Sequence, residues 1–258
     1  MDFSTINTPA GERGIIIGTT RSGKSTLSKY CIEDWATRYP DSRIIVIDTK
    51  PHFKATHHAS GIPIQFSRLY ATMRSGETIA YSMRLPIGDG TNWWRLENAW
   101  GLCRSFTPVN RGLVLIAQTN RLGDFGWLDH VIQTHYTMAS KYWWLFTYVD
   151  EMMVFLRNRS LRNGVYQCIV SGGELGIGFL GATQRPRNIP PEAITEMSKL
   201  YMFWMNFEED IDHLRDMGVP KNFVIPQEYY LFNYYDKLNR IVKMMKLKLP
   251  EVEYEVAV

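Results

Sequence analysis

The segment Gly14-Ile15-Ile16-Ile17-Gly18-Thr19-Thr20-Arg21-Ser22-Gly23-Lys24-Ser25 carries two signals in direct succession. Its apolar run shows no polar alternation, as expected of a strand buried on both faces of a parallel sheet. Residues 18–25 follow the pattern G-x-x-x-x-G-K-S. Glycines let backbone N–H groups turn inward around phosphate oxygens, and the start of a following helix adds partial positive charge. The pattern assigns Gly18, Thr19, Thr20, Arg21, Ser22, Gly23, Lys24, Ser25 and Thr26 to a phosphate cradle. Lys24 would reach the β- and γ-phosphates and the Ser25 hydroxyl would hold Mg²⁺. A plain glycine turn accounts for Gly18 but not for the adjacent Gly-Lys-Ser.

Outward from this loop, Leu27, Cys31 and Trp35 share one helical face, and Tyr39-Pro40 stops the helix. A second apolar strand follows over Arg43–Asp48. Strand, loop, helix and strand make a βαβ unit with a right-handed crossover. Further along, residues 78–85 and 112–119 read as strands. Trp93, Leu96 and Trp100 lie on one helix face, and 125–136 reads as a short helix. Residues 143–149 form a strand with Asp150-Glu151 at its carboxyl end. A strand at 178–183, another at 199–207, and a helix at 210–217 closed by Gly218 come next. A hairpin of 229–235 and 239–246, with Asp236 and Lys237 in its turn, ends the pattern.

At roughly 150 residues per domain, 258 residues fit one enlarged domain. That domain spans 1–258, with an insertion at about 51–141 and a C-terminal hairpin at about 229–248. An apolar fraction of 45% with 21% charged excludes a mostly disordered chain. The net charge of +3 is too mild to announce nucleic acid, so any basic face must be local. Cys31, Cys103 and Cys168 are odd in number and far apart, which excludes a disulfide framework and a zinc ribbon and fits a reducing compartment. No run approaches the ~18 apolar residues that a membrane span needs, and the amino end lacks a secretory pattern. The expectation is a chain without a transmembrane segment, working in the cytoplasm.

A phosphate loop needs a carboxylate on a neighbouring strand to complete the Mg²⁺ shell. Asp48 and Asp150 both end apolar strands, and Asp150 is followed by Glu151. The pair divides the labour: Asp150 orders the metal shell and Glu151 polarises the attacking water as general base. An acid pair capping a helix start is the structural alternative, against which the burial of the preceding strand argues. No N-K-x-D guanine signature occurs, the stretch Asn120-Arg121-Leu122-Gly123-Asp124 failing it, so ATP is the expected nucleotide. His52, His57 and His58 are too irregularly spaced for a metal site. Trp93-Trp94 and Trp143-Trp144 would stack on bases or, more simply, pack into the core and a subunit contact.

These residues resemble the FtsK/HerA superfamily of DNA-pumping ATPases. Four elements match in the family's order: the phosphate loop, Ile47-Asp48-Thr49-Lys50, Val149-Asp150-Glu151, and Ala182-Thr183-Gln184-Arg185-Pro186. The match covers roughly residues 14–246, with little to align between Lys50 and Tyr142. The resemblance implies a RecA-like P-loop NTPase core with a mainly parallel central sheet flanked by helices, and it assigns Gln184 as a γ-phosphate sensor. With Lys24 and Glu151 it completes the catalytic set. Cellular relatives place an arginine shortly before the Q-R-P strand to reach the neighbouring subunit's ATP site, and Ser171-Gly172-Gly173-Glu174 has none. Arg157, Arg159 and Arg162, with Arg187, are candidates for that trans-acting finger or for DNA phosphate contacts; a solvated basic face is the alternative. Lys243, Lys246 and Lys248 would meet phosphate or guard a hairpin edge.

The size class resembles compact packaging ATPases of viruses and stand-alone ATPases of phages and plasmids. The implied function is an ATP-driven translocase of double-stranded DNA, working as a homo-oligomeric ring, with six subunits expected, at a capsid vertex. The alternatives are an ATP-dependent switch or assembly factor that remodels a protein partner, and a small-molecule kinase, which leaves Glu151 and the Thr183-Gln184-Arg185-Pro186 string unexplained.

Overall fold

A computed structural model describes residues 11–39, 43–48, 69–72, 78–81, 114–118, 129, 132–133, 136, 145–155, 163–220 and 223–247. The first apolar run forms β1 (Arg13–Ile17), and the helix after the loop is α1 (Lys24–Arg38). β2 (Arg43–Asp48), β3 (Leu69–Thr72), β4 (Thr78–Tyr81), β5 (Val114–Gln118) and β6 (Leu145–Val149) follow. Then come α2 (Met152–Phe155), α3 (Asn163–Val170), β7 (Gly178–Thr183), α4 (Pro191–Thr195), β8 (Lys199–Met202) and α5 (Glu208–Asp216). β9 (Leu231–Asp236) and β10 (Ile241–Lys246) form the closing hairpin.

All ten strands join one sheet in the order β10-β9-β8-β1-β7-β6-β2-β5-β3-β4. The run β8-β1-β7-β6-β2-β5 is parallel throughout, and antiparallel hairpins finish both edges. The expected mainly parallel α/β core is therefore the fold observed. The 51–141 stretch supplies β3, β4 and β5 to this same sheet. β1 and β2, successive in the chain, are separated by β7 and β6. That insertion brings the carboxyl ends of β6 and β7 beside the loop that follows β1.

Alternate residues of the parallel strands feed two cores, one on each face. Ile15, Ile17, Ile45, Ile47, Leu145 and Val149 pack with Val165, Ile169 and Leu214. Ile16, Ile44, Val46, Phe146 and Tyr148 pack with Leu27, Cys31 and Trp35 of α1, the face expected of that helix. Trp35 stacks on Phe146 with centroids 4.8 Å apart. Burial pushes the Cys31 thiol up, and it raises that of Cys168 to about 12, so both act as small apolar groups.

Several boundaries shift from the sequence expectation. The strand expected over 199–207 ends at Met202, although Phe203 N–H still donates to Ile17 O at 2.8 Å. The helix expected from Asp210 begins at Glu208, and it closes at Gly218 with φ +93° as anticipated. The hairpin strands begin two residues later than read, because the Asp236 carboxylate accepts Asn239 N–H at 3.0 Å and draws the turn out to Arg240. Arg157, Arg159, Arg162, His52, His57, His58, Trp93, Trp94, Trp100, Trp143, Trp144, Lys248 and Cys103 lie outside the described residues, as does most of the helix expected at 125–136. Among the described residues no helix is long and apolar enough to cross a membrane.

Candidate nucleotide site

The loop after β1 is held from both sides of that strand. Gly18 N–H donates to Thr183 O at 3.2 Å on β7, and Thr19 N–H donates to Trp204 O at 2.8 Å just beyond β8. Gly23 sits at φ +118°, and a Cβ there would come within 2.9 Å of Phe203 Cε1 and 3.0 Å of Tyr230 Cδ1. Glycine is required at that point both for its backbone angle and for space. Lys24 opens α1, and its Nζ donates to the carbonyls of Gly18 and Thr19, each at 2.7 Å. The ammonium thus lies against the loop that the sequence pattern assigns to phosphate. Ser25 and Thr26 follow in the first turn of α1.

The acid pair stands at the end of β6. Asp150 N–H donates to Ile47 O at 2.8 Å, and Asp150 Oδ1 accepts the Tyr148 hydroxyl at 3.2 Å. Glu151 has φ +55°, a left-handed conformation uncommon outside glycine, and is only 5% exposed. Strain of this kind persists where surrounding structure enforces it. The next residue, Met152, packs against Gly181 of β7, where a Cβ would fall 1.9 Å from Met152 Sδ. With Met152 packed onto β7, the Glu151 carboxylate turns to the same strand. Its Oε1 accepts the Thr183 hydroxyl at 3.3 Å and the Gln184 N–H at 3.2 Å.

Gln184 closes the constellation, its Oε1 accepting the Thr20 hydroxyl at 3.1 Å. Glu151 is thus linked to Gln184, and Gln184 to Thr20 of the loop, at the carboxyl ends of three neighbouring strands, the position where open α/β sheets bind ligands. Asp48 ends β2, and its backbone is paired to Gln118 rather than to β7. Arg187 lies apart, ion-paired with Glu209, its N–H donating to Asp210 Oδ1 at 3.3 Å. Among the described residues no group of three or more His, Cys, Asp and Glu is placed to hold a metal ion. A hydroxyl and one carboxylate are the oxygen donors that Mg²⁺ takes from protein when phosphates supply the rest.

Three features of the site had no local signal in the sequence. Arg185 Nε lies 2.8 Å from Asp210 Oδ2 of α5, and its guanidinium sits 4.0 Å from the Phe207 ring centroid. Asp210 is 1% exposed and so belongs to the site's foundation. Trp204 and Tyr229 form a T-shaped pair, centroids 5.4 Å apart, beside the loop. A cleft of about 330 Å³ is lined by Thr19, Thr20, Gln184, Trp204, Asn206 and Tyr229 among others.

With this geometry the chain matches solved structures over nearly its whole length. The genome packaging NTPase B204 of Sulfolobus turreted icosahedral virus 2, in complex with ATP-gammaS, aligns with TM-score 0.60 at 15% identity over 93% of this chain and 98% of that one. The fold is the RecA-like P-loop NTPase fold. B204, the DNA-packaging ATPase of Sulfolobus turreted icosahedral virus, aligns with TM-score 0.57 at 17% identity over 92% and 98%. ATPases 2 and 3 of Thermomonospora curvata EccC, in complex with a signal sequence peptide, align with TM-score 0.55 at 13% identity over 98% of this chain and 38% of that one. No protein-family model matches the chain, and no curated protein does either. At these identities the likeness extends to the fold, and the chemistry rests on the residues themselves.

Proposed function

We propose that this chain hydrolyses ATP with Mg²⁺ and uses the energy to move double-stranded DNA through a ring of its own copies, filling a viral or phage capsid. The observation that carries the hydrolytic part is the joint contact of Glu151 with Thr183 and Gln184 next to a lysine-bearing phosphate loop. Lys24 and the loop N–H groups bind the triphosphate. Ser25 and Asp150 hold Mg²⁺, which neutralises charge on the phosphates. Glu151 takes the proton from the attacking water, and Gln184 reads the γ-phosphate position. Because Gln184 N–H and the Glu151 carboxylate share a hydrogen bond, arrival or loss of the γ-phosphate shifts base and sensor together.

DNA as cargo is supported by the fold shared with a viral DNA-packaging ATPase along nearly the full length of both chains. The test is steady-state ATP turnover measured against protein concentration, with and without duplex DNA, at low and moderate salt. A ring motor gains specific activity with concentration, is stimulated by DNA, and loses DNA affinity steeply as salt rises. Linear, DNA-indifferent turnover would overturn the proposal. A second reading, an assembly ATPase acting on a protein partner, is favoured by the exposed apolar residues of β10, Ile241, Val242 and Met244, and by the likeness to a secretion ATPase solved with a peptide. In that case DNA stimulation and the salt slope are both absent.

A further inference from the structure

We infer that Trp204 and Tyr229 form the platform on which the nucleotide's base stacks, an assignment that rests on the phosphate-loop reading above. The placement follows from the sheet order. β1, which delivers the phosphate loop, has β7 on one side and β8 on the other. Gln184 at the end of β7 meets Thr20 and marks the side where γ-phosphate chemistry takes place. A triphosphate anchored at the loop with its reactive end toward β7 directs its nucleoside toward β8. There the chain leaves the sheet as Phe203 and Trp204.

Trp204 itself and the residue that follows Tyr229 are tied to the loop through backbone bonds. Trp204 O accepts Thr19 N–H at 2.8 Å, and Tyr230, the neighbour of Tyr229, donates its N–H to Ser22 O at 2.9 Å. These bonds place the ring pair beside the phosphate cradle. The cleft that Trp204 and Tyr229 line measures about 330 Å³, within the roughly 300–1,000 Å³ of small-molecule sites, and extends to Thr20 and Gln184. Tyr229 is 53% exposed, a large ring left to solvent at the mouth of a cleft that also contains the Asn206 amide. A T-shaped ring pair leaves faces open to a planar heterocycle, and stacking on such faces tolerates any base.

The test compares binding of ATP with binding of inorganic tripolyphosphate to the full chain, in the unaltered protein and in Trp204→Ala, Trp204→Phe and Tyr229→Ala. The expected result is ATP binding tighter than tripolyphosphate, weakened about tenfold or more by either alanine and largely restored by Trp204→Phe, with tripolyphosphate unaffected. Tyr229→Ala alters an exposed side chain and so keeps the test valid if Trp204→Ala does not fold. Unchanged ATP affinity, or equal losses for ATP and tripolyphosphate, would overturn the platform. Failure of the unaltered chain to bind ATP at all overturns the nucleotide reading itself, and this inference with it.

Discussion

Glu151 Oε1 lies 3.2 Å from the backbone nitrogen of Gln184 and accepts its N–H, although 33 residues separate the two in the chain. Under the proposed function, this bond couples the acid assigned to water activation with the strand end assigned to sensing phosphate. Glu151→Gln keeps the shape of the side chain and removes its basicity. Nucleotide binding is expected to persist while turnover falls by about 10²–10⁴. Phosphate release and retained nucleotide measured on the same sample check this, and normal turnover would remove Glu151 from the base role.

Lys24 Nζ donates to two carbonyls of its own loop, and a bound triphosphate would draw the ammonium to phosphate oxygens instead. Lys24→Ala is expected to abolish ATP binding without loss of stability, since the substitution removes a partly exposed side chain and preserves the helix. Calorimetric titration and thermal melting separate the two effects.

Gly23 holds φ +118° against Phe203 and Tyr230. Gly23→Ala adds left-handed strain and a steric conflict with two aromatic rings, for an expected destabilisation of at least about 1 kcal/mol. Denaturant unfolding measures it; a neutral outcome would mean that loop and hairpin are not locked together as described.

Asp210 accepts Arg187 N–H and pairs with Arg185 on the strand end that carries Gln184. Asp210→Ala leaves the partly buried Arg185 without its carboxylate, at an expected cost of about 1–3 kcal/mol. Turnover is expected to drop along with stability, because the residue after Gln184, the proposed sensor, loses its anchor. Urea unfolding and phosphate release on the same variant report both quantities.

Lys199, 5% exposed, donates to Asp236 Oδ2 at 2.5 Å and pairs with Glu12 at 3.0 Å, tying β8 to β9. Burial alone would raise the Asp236 carboxyl, but the hydrogen bonds from Lys199 and Asn239 outweigh it and hold the group at about 2, below its ordinary 3.8. A depressed folded value means stability present above the unfolded pKa and lost as pH falls through the folded one. Acid unfolding should therefore steepen between about pH 4 and pH 2, with this carboxyl accounting for about 2 kcal/mol. Lys199 is itself raised, the two carboxylates overcoming its burial, so its contribution disappears only in strongly alkaline solution. Lys199→Met should lower stability at neutral pH and flatten the acid limb, as followed by circular dichroism.

The glycine turn after β1, the buried strands β1 and β2, the α1 face of Leu27, Cys31 and Trp35, and the closing hairpin were all legible in the residues. Each is a short-range pattern: an apolar run, a helical spacing, a glycine where the backbone must turn. The acid pair was legible because it ends a mainly apolar strand, Leu145 to Val149, all of it buried.

Strand order was not written in any local pattern. That β7 and β6 lie between β1 and β2 depends on which faces pack together, and this order places Glu151 against the end of β7 and Gln184 against the loop. The Arg185–Asp210 pair and the Trp204–Tyr229 pair likewise join residues 25 positions apart, held by folding of the intervening chain. Local chemistry thus determined which groups are candidates to bind phosphate and move a proton. Long-range packing decided which of them meet, because register and strand order are set by burying two cores at once.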